Sequence, residues 1–326
     1  MSKVFEKRVA FKPFEYPDIL KYKDAINHSY WLVSEWNFIS DTQDFKTKLN
    51  DTEREMIKRA MLAISQIEVS VKKFWTKLGD RFPKAEFDQV GITFGESEVR
   101  HADAYSHLLQ VLGFNQDFAN LLEVPEIQGR VDYLTKYLKG ASDNSDENYA
   151  LTLTLFSLFI ENVSLFSQFA IIKSFNKHKN VLKDIDNVIQ ATQKEEQIHA
   201  LFGVEVINII RQENPEWFNE DFYAKIYRAC RKAYEAEAKI IDWIFENGDA
   251  PFCTVASLKE FIKDRFNQSV IMIGGEPVFQ TDPAIMADWT WFNEEILGQT
   301  NVDFFHKKSV NYNKFSQPVT AEALFS

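Results

Sequence analysis

Four long stretches of this chain place apolar residues every three or four positions, the spacing that makes one side of an α-helix a buried stripe. Ile64, Val71, Trp75 and Leu78 form one stripe, and Phe94, Tyr105, Leu108 and Leu112 a second. Leu158, Leu165, Phe169 and Ile172 form a third, and Ile189, Phe202 and Val206 a fourth. The pattern predicts helices over about 52–78, 87–112, 149–174 and 181–211, with two more over about 219–247 and 255–272. Asn50, Asp51 and Thr52 supply helix-start chemistry for the first, and Pro215 stops the fourth. Shorter helical pieces are expected over 117–138, followed by a polar break at 143–147. Residues 1–50 read as an irregular arm with one short helix at 21–29. Gly274, Gly275 and Pro277 end the regular part. The expectation is one all-α domain over 1–300 and a flexible, polar tail over 301–326.

Each stripe carries charge where an apolar residue belongs. Glu68 sits in the first, Glu98 and His101 in the second, Glu161 in the third, and Glu196 and His199 in the fourth. A carboxylate buried without a partner is strongly destabilising, so these four need one. Glu-x-x-His occurs twice, at Glu98–His101 and Glu196–His199, and on a helix its two side chains share a face. Each pair can point a carboxylate and an imidazole at one cation. Glu68 precedes its pair by 30 residues and Glu161 precedes its pair by 35, an internal pseudo-repeat of helix pairs. Four carboxylates and two imidazoles on four helices match the ligand pattern of two-metal carboxylate bundles. Such an oxygen-rich donor set suits manganese or iron better than structural zinc. The competing reading is surface glutamates beside two core histidines.

Composition narrows the picture. A net charge of −11 argues against nucleic acid as a partner, since phosphate recognition needs clustered cations. Cys230 and Cys253 form no Cys-x-x-Cys pair and read as reduced core thiols. The start of the chain has no apolar signal core. The stretch 149–172 is long enough to cross a bilayer, but it holds Glu161, Asn162 and Gln168 near its middle. It reads as a buried core helix that carries a ligand, in a cytoplasmic protein with no membrane partner.

On these residues the chain resembles the class I ribonucleotide reductase small subunit along most of its length. Glu68, Glu98, His101, Glu161, Glu196 and His199 match the family's metal ligands one by one, with glutamate first where many relatives have aspartate. Tyr30-Trp31 through Ser40-Asp41 looks like the family's Phe-Trp…Ser-x-Asp stretch. Thr300 through Phe305, then Val310-Asn311-Tyr312, resembles the family's tail. The resemblance implies a ferritin-like helical bundle with additional helices and two metal ions per chain. It implies a homodimer that works with a large catalytic subunit in deoxyribonucleotide biosynthesis for DNA replication. The site would generate and store a one-electron oxidant, passed on for reduction of ribonucleoside diphosphates. Tyr105 takes the position of the radical tyrosine, Trp31 that of the relay tryptophan and Tyr312 that of the mobile tail tyrosine. Phe325 would anchor the tail in the partner.

Three positions depart from the family pattern. Lys194-Glu195 replaces Arg-Asp, so the link from Trp31 to a metal histidine is expected to run differently through the longer Glu195. Around Tyr105 the usual apolar trio becomes Leu165, Phe169 and Thr192, which adds a hydroxyl. Lys72 follows Glu68 by one turn and is expected to attract an anionic oxidant such as superoxide. Together they favour a Mn/Mn site whose metals hold the hole, with Fe/Fe as the alternative and dioxygen or a similar oxidant in place of superoxide. Two rivals stay open: a two-metal oxidase or desaturase, which would not need Tyr312 or the tail, and a ferritin-like storage protein.

Overall fold

Of the first two helices, the first buries Tyr22, Ala25 and Ile26, and the second is held by acids rather than by an apolar stripe. Helix α1 (Leu20–His28) is followed by α2 (Ile39–Thr47), which the sequence pattern does not reveal. Asp41 and Asp44 of α2 are buried and accept from Ile185 N at 2.8 Å and Leu182 N at 3.2 Å. These bonds satisfy amides at the start of a later helix, so α2 exists through tertiary contacts. The structure, a computed structural model, describes residues 3–140 and 145–296.

The long helices follow the predicted order. Asn50 opens α3 (Asp51–Trp75) by a reciprocal cap: its side chain accepts from Glu53 N, while the Glu53 carboxylate accepts from Asn50 N. A short α4 (Leu78–Arg81) leads into α5 (Ala85–Leu112), which ends at Gly113 in the left-handed region. Helices α6 (Asn115–Ala119) and α7 (Pro125–Gly140) supply the expected shorter pieces.

The single helix expected over 149–174 is three joined pieces. Helix α8 (Asp146–Leu155) passes into a π-helical segment (Phe156–Ser164), and α9 (Phe166–Lys179) follows. A π turn widens the backbone ring by one residue, and such turns recur at functional sites. Ser164 Oγ, which donates to Phe159 O, satisfies one carbonyl of the widened turn. The whole run 146–179 is long and apolar enough to cross a membrane, and its most apolar window is entirely buried inside the protein.

Helix α10 (Lys183–Glu213) completes the central four, and α11 (Glu220–Ile244) and α12 (Val255–Met272) pack outside them. Regular structure does not end at Pro277. Helix α13 (Pro283–Met286) follows, and residues 290–296 are again helical. Their shortness hides them from a periodicity argument.

Helix α3 packs against α5, and α10 packs against the π segment. Gly91 permits a close approach of the first pair: a Cβ there would lie 2.5 Å from Trp75 O. Cys230 and Cys253 are free and buried, as expected of core thiols.

Candidate metal centre

The four charged stripes meet. Glu68, Glu98, His101, Glu161, Glu196 and His199 are all at most 1% exposed. They form two groups, Glu68–Glu98–His101–Glu196 and Glu98–Glu161–Glu196–His199, each with its donor atoms within 4.8 Å of one another. Glu98 and Glu196 belong to both groups. Glu98 presents Oε2 to His101 Nδ1 at 3.6 Å and Oε1 to His199 Nδ1 at 3.2 Å. Glu196 presents Oε1 to His101 Nδ1 at 3.0 Å and Oε2 to His199 Nδ1 at 3.5 Å. Two carboxylates that face both ways, with one terminal glutamate and one imidazole at each end, are the donor set of a two-cation site.

The outer nitrogens of both imidazoles are occupied. Glu195 can only accept, so His101 Nε2 donates to its Oε2 at 2.8 Å. Ser97 Oγ donates to Phe94 O at 2.7 Å, which leaves its oxygen to accept from His199 Nε2 at 3.0 Å. Both rings therefore turn Nδ1 inward, the orientation that outer partners impose on metal-binding histidines.

Buried this close together, the six groups shift one another's hold on protons. Burial lifts the Glu68 and Glu161 carboxyls well above the usual range, reinforced for Glu68 by Glu98 and Glu196 and for Glu161 by Glu196 and Glu98. Burial opposes charge on His101 and His199, but the carboxylates that face each ring outweigh it and raise both. Burial also opposes ionisation of Glu196, yet the two histidine rings beside it hold it below the usual carboxylate range. Cations would take the place of these protons.

Around the site, Trp31 is buried and stacks on the His101 ring, with centroids 6.0 Å apart and planes 16° apart. Its indole Nε1 finds no acceptor, so Glu195 does not bond to it. Glu195 instead takes Arg100 at 3.1 Å and Ser29 Oγ at 3.3 Å, while Arg100 lies over the Trp31 ring at 5.7 Å. The contact between Trp31 and His101 is thus by stacking, with Arg100 and Glu195 bracing the pair. Sequence reasoning missed Arg100, although it lies inside the first Glu-x-x-His. It also missed Ser97 and the role of Trp75, whose Nε1 donates to Glu161 Oε1 at 3.0 Å.

Tyr105 is buried, and its hydroxyl faces Thr192 without a hydrogen bond of ordinary geometry. Burial pushes its phenol far above the usual range, with Glu68 adding to the effect. Leu165, Phe169 and Thr192 are all buried. Lys72 lies on α3 one turn beyond Glu68, and its side chain is outside the described residues. Tyr312, Phe325 and the whole 301–326 tail also lie outside them.

Comparison with known proteins agrees with this geometry. The family model for the ribonucleotide reductase small chain matches residues 8–285. A probable ribonucleoside-diphosphate reductase small subunit of Invertebrate iridescent virus 3 is 24% identical over 329 residues, covering 96% of this chain and 86% of the viral one. The ribonucleotide reductase R2 subunit of Clostridium botulinum shares the fold with a TM-score of 0.75 at 15% identity, over 86% of this chain and 89% of its own. The dimanganese(II) NrdF of Streptococcus sanguinis does so with a TM-score of 0.73 at 16% identity, over 87% of this chain and 99% of its own. With two facing ligand groups in a helical core and a family match over most of its length, the chain belongs to the ribonucleotide reductase small chain family.

Proposed function

We propose that this chain is the oxidant-generating small subunit of a class I ribonucleoside-diphosphate reductase, a cytoplasmic homodimer that works with a large catalytic subunit. The observation that carries this reading is the pair of ligand groups sharing Glu98 and Glu196. Two redox-active cations held there would supply a one-electron oxidising equivalent.

The chain's own residues do the rest. Four carboxylates offset the charge of two divalent ions inside an apolar core. Glu195 and Ser97 hold the outer imidazole protons and keep Nδ1 directed inward. Trp75 and Phe94 pack on His199, and Phe156 and Phe202 pack in turn on Trp75, a buried aromatic layer that keeps water out. Trp31, stacked on His101, is the group placed to yield an electron toward the site, and Tyr312 on the tail would in turn reduce Trp31. The oxidised electron carrier at the tail would then act on the catalytic subunit.

We assign the cations as manganese, with iron as the alternative and superoxide or dioxygen as the oxidant. The Thr192 hydroxyl beside Tyr105 supports this assignment, because a stable tyrosyl radical favours a dry pocket. On this reading the hole stays on the metals.

The test uses the metal-loaded full chain and a variant truncated after residue 300, each mixed with the catalytic subunit. The truncated protein should keep its metal and lose ribonucleotide reduction. Reduction that survives truncation would contradict the assignment, and metal-dependent oxidase activity in both proteins would favour the oxidase reading.

A further inference from the structure

Trp75 closes α3 two turns after Glu68, on the same face of the helix. Its indole N–H reaches Glu161 Oε1 at 3.0 Å, with both side chains buried. We propose that Trp75 is a positioning residue for the cation on the His199 side: it holds one oxygen of Glu161, so that Oε2 alone is offered to that cation. The inference rests on the two-metal reading of the site.

The indole can donate but not accept, so its direction is fixed by where an acceptor lies. It has little freedom to turn away. Phe94, Phe156 and Phe202 meet the Trp75 ring edge-on, at centroid distances of 5.3, 5.5 and 5.7 Å. Glu161 Oε2, by contrast, has no hydrogen-bond partner and lies 3.4 Å from His199 Nδ1. One oxygen is held by the protein and the other faces the site.

The backbone under Glu161 is braced independently. Glu161 stands on the π segment, where the regular α-helical ladder is interrupted. From α12, Arg265 Nε donates to Asn162 O at 2.8 Å and Arg265 Nη2 donates to Asn162 Oδ1 at 2.9 Å. Asn162 Nδ2 donates in turn to Ser269 Oγ at 2.6 Å. The residue after Glu161 is thus fixed to a neighbouring helix through backbone and side chain together, which restrains the widened turn that presents the ligand.

Glu68, at the other end of the site, is held differently: neither of its oxygens has a hydrogen-bond partner. It can offer both to the His101-side cation. The two ends are therefore unequal. One terminal carboxylate is free, and the other is bracketed by the same helix that carries the first. Through Glu68 and Trp75, α3 sets both ends of the centre. Outer partners of metal ligands typically change affinity about 10- to 100-fold when removed.

The test is titration with Mn2+ alone, followed by electron paramagnetic resonance of the free ion, on the unaltered chain and on Trp75→Phe. The unaltered chain should take up one ion per ligand group. Trp75→Phe should bind the first ion with unchanged affinity and the second about tenfold more weakly or worse. Unchanged affinity for both ions, or equal weakening of both, would overturn the proposal, since general loosening of the core would not choose one site. Melting followed by circular dichroism shows whether the variant folds. If it does not, the near-ultraviolet difference spectrum of the unaltered chain decides. A tryptophan band should move as the His199-side site fills, persist in Glu68→Ala and vanish in Glu161→Ala. A band that persists in Glu161→Ala overturns the proposal. An unaltered chain that never takes up a second ion defeats the two-metal reading itself.

Discussion

Glu195 joins His101 to Arg100: one buried carboxylate takes the imidazole Nε2 at 2.8 Å and the guanidinium at 3.1 Å. A relation that spans three charged groups in the core is sensitive to which one is removed. Glu195→Gln keeps the shape but weakens the acceptor, and metal affinity should fall about tenfold at the His101 end. Glu195→Ala removes the buried one of Arg100's two carboxylate partners and leaves Glu96 at 2.9 Å, so it should also cost roughly 1–3 kcal/mol of stability. Metal titration and denaturant unfolding measure the two effects; an unchanged affinity in both variants would show that Glu195 does not support the site.

Tyr105 separates the two ways of storing the hole. Its buried hydroxyl lacks a hydrogen bond, so Tyr105→Phe removes an unsatisfied polar group of a kind that costs about 1–3 kcal/mol. The variant should be at least as stable as the parent in thermal melting. With the hole on the metals, it should also retain ribonucleotide reduction. Complete loss of activity in a stable variant would place the hole on Tyr105.

Away from the site, Arg130 and Glu237 form an ion pair at 3.2 Å with both side chains at most 1% exposed, and Arg130 also donates to Ala63 O at 2.8 Å. The pair ties α7, α11 and α3 together. Removing one charge leaves the other buried, so Glu237→Leu alone should destabilise the chain by roughly 3–5 kcal/mol. Arg130→Met combined with Glu237→Leu should recover most of that loss, because both desolvation penalties disappear together. Equal losses in the single and double variants, read from denaturant midpoints, would mean that packing rather than charge governs this locus.

The sequence revealed the central helices because their burial is periodic, and it revealed the donor set because Glu68, Glu98, Glu161 and Glu196 interrupt that period with buried charge. It did not reveal α2, whose stability comes from Asp41 and Asp44 bonding to distant backbone amides. Such bonds leave no local pattern. The π segment was equally hidden, since Phe156–Ser164 reads as an ordinary apolar helix until Arg265 and Ser269 are seen beside Asn162. The rerouting expected at Glu195 was visible as one extra methylene. Its outcome, a bond to Arg100 rather than to Trp31 Nε1, depends on where α1 and α5 place Ser29 and Arg100.

The most direct test is the metal content of the natively expressed chain by elemental analysis. The account predicts two ions per chain, one for each histidine–carboxylate group, with manganese in excess of iron. Two irons would keep the site and return the leading role to Tyr105. A chain that never holds more than a trace of metal would contradict the account at its centre.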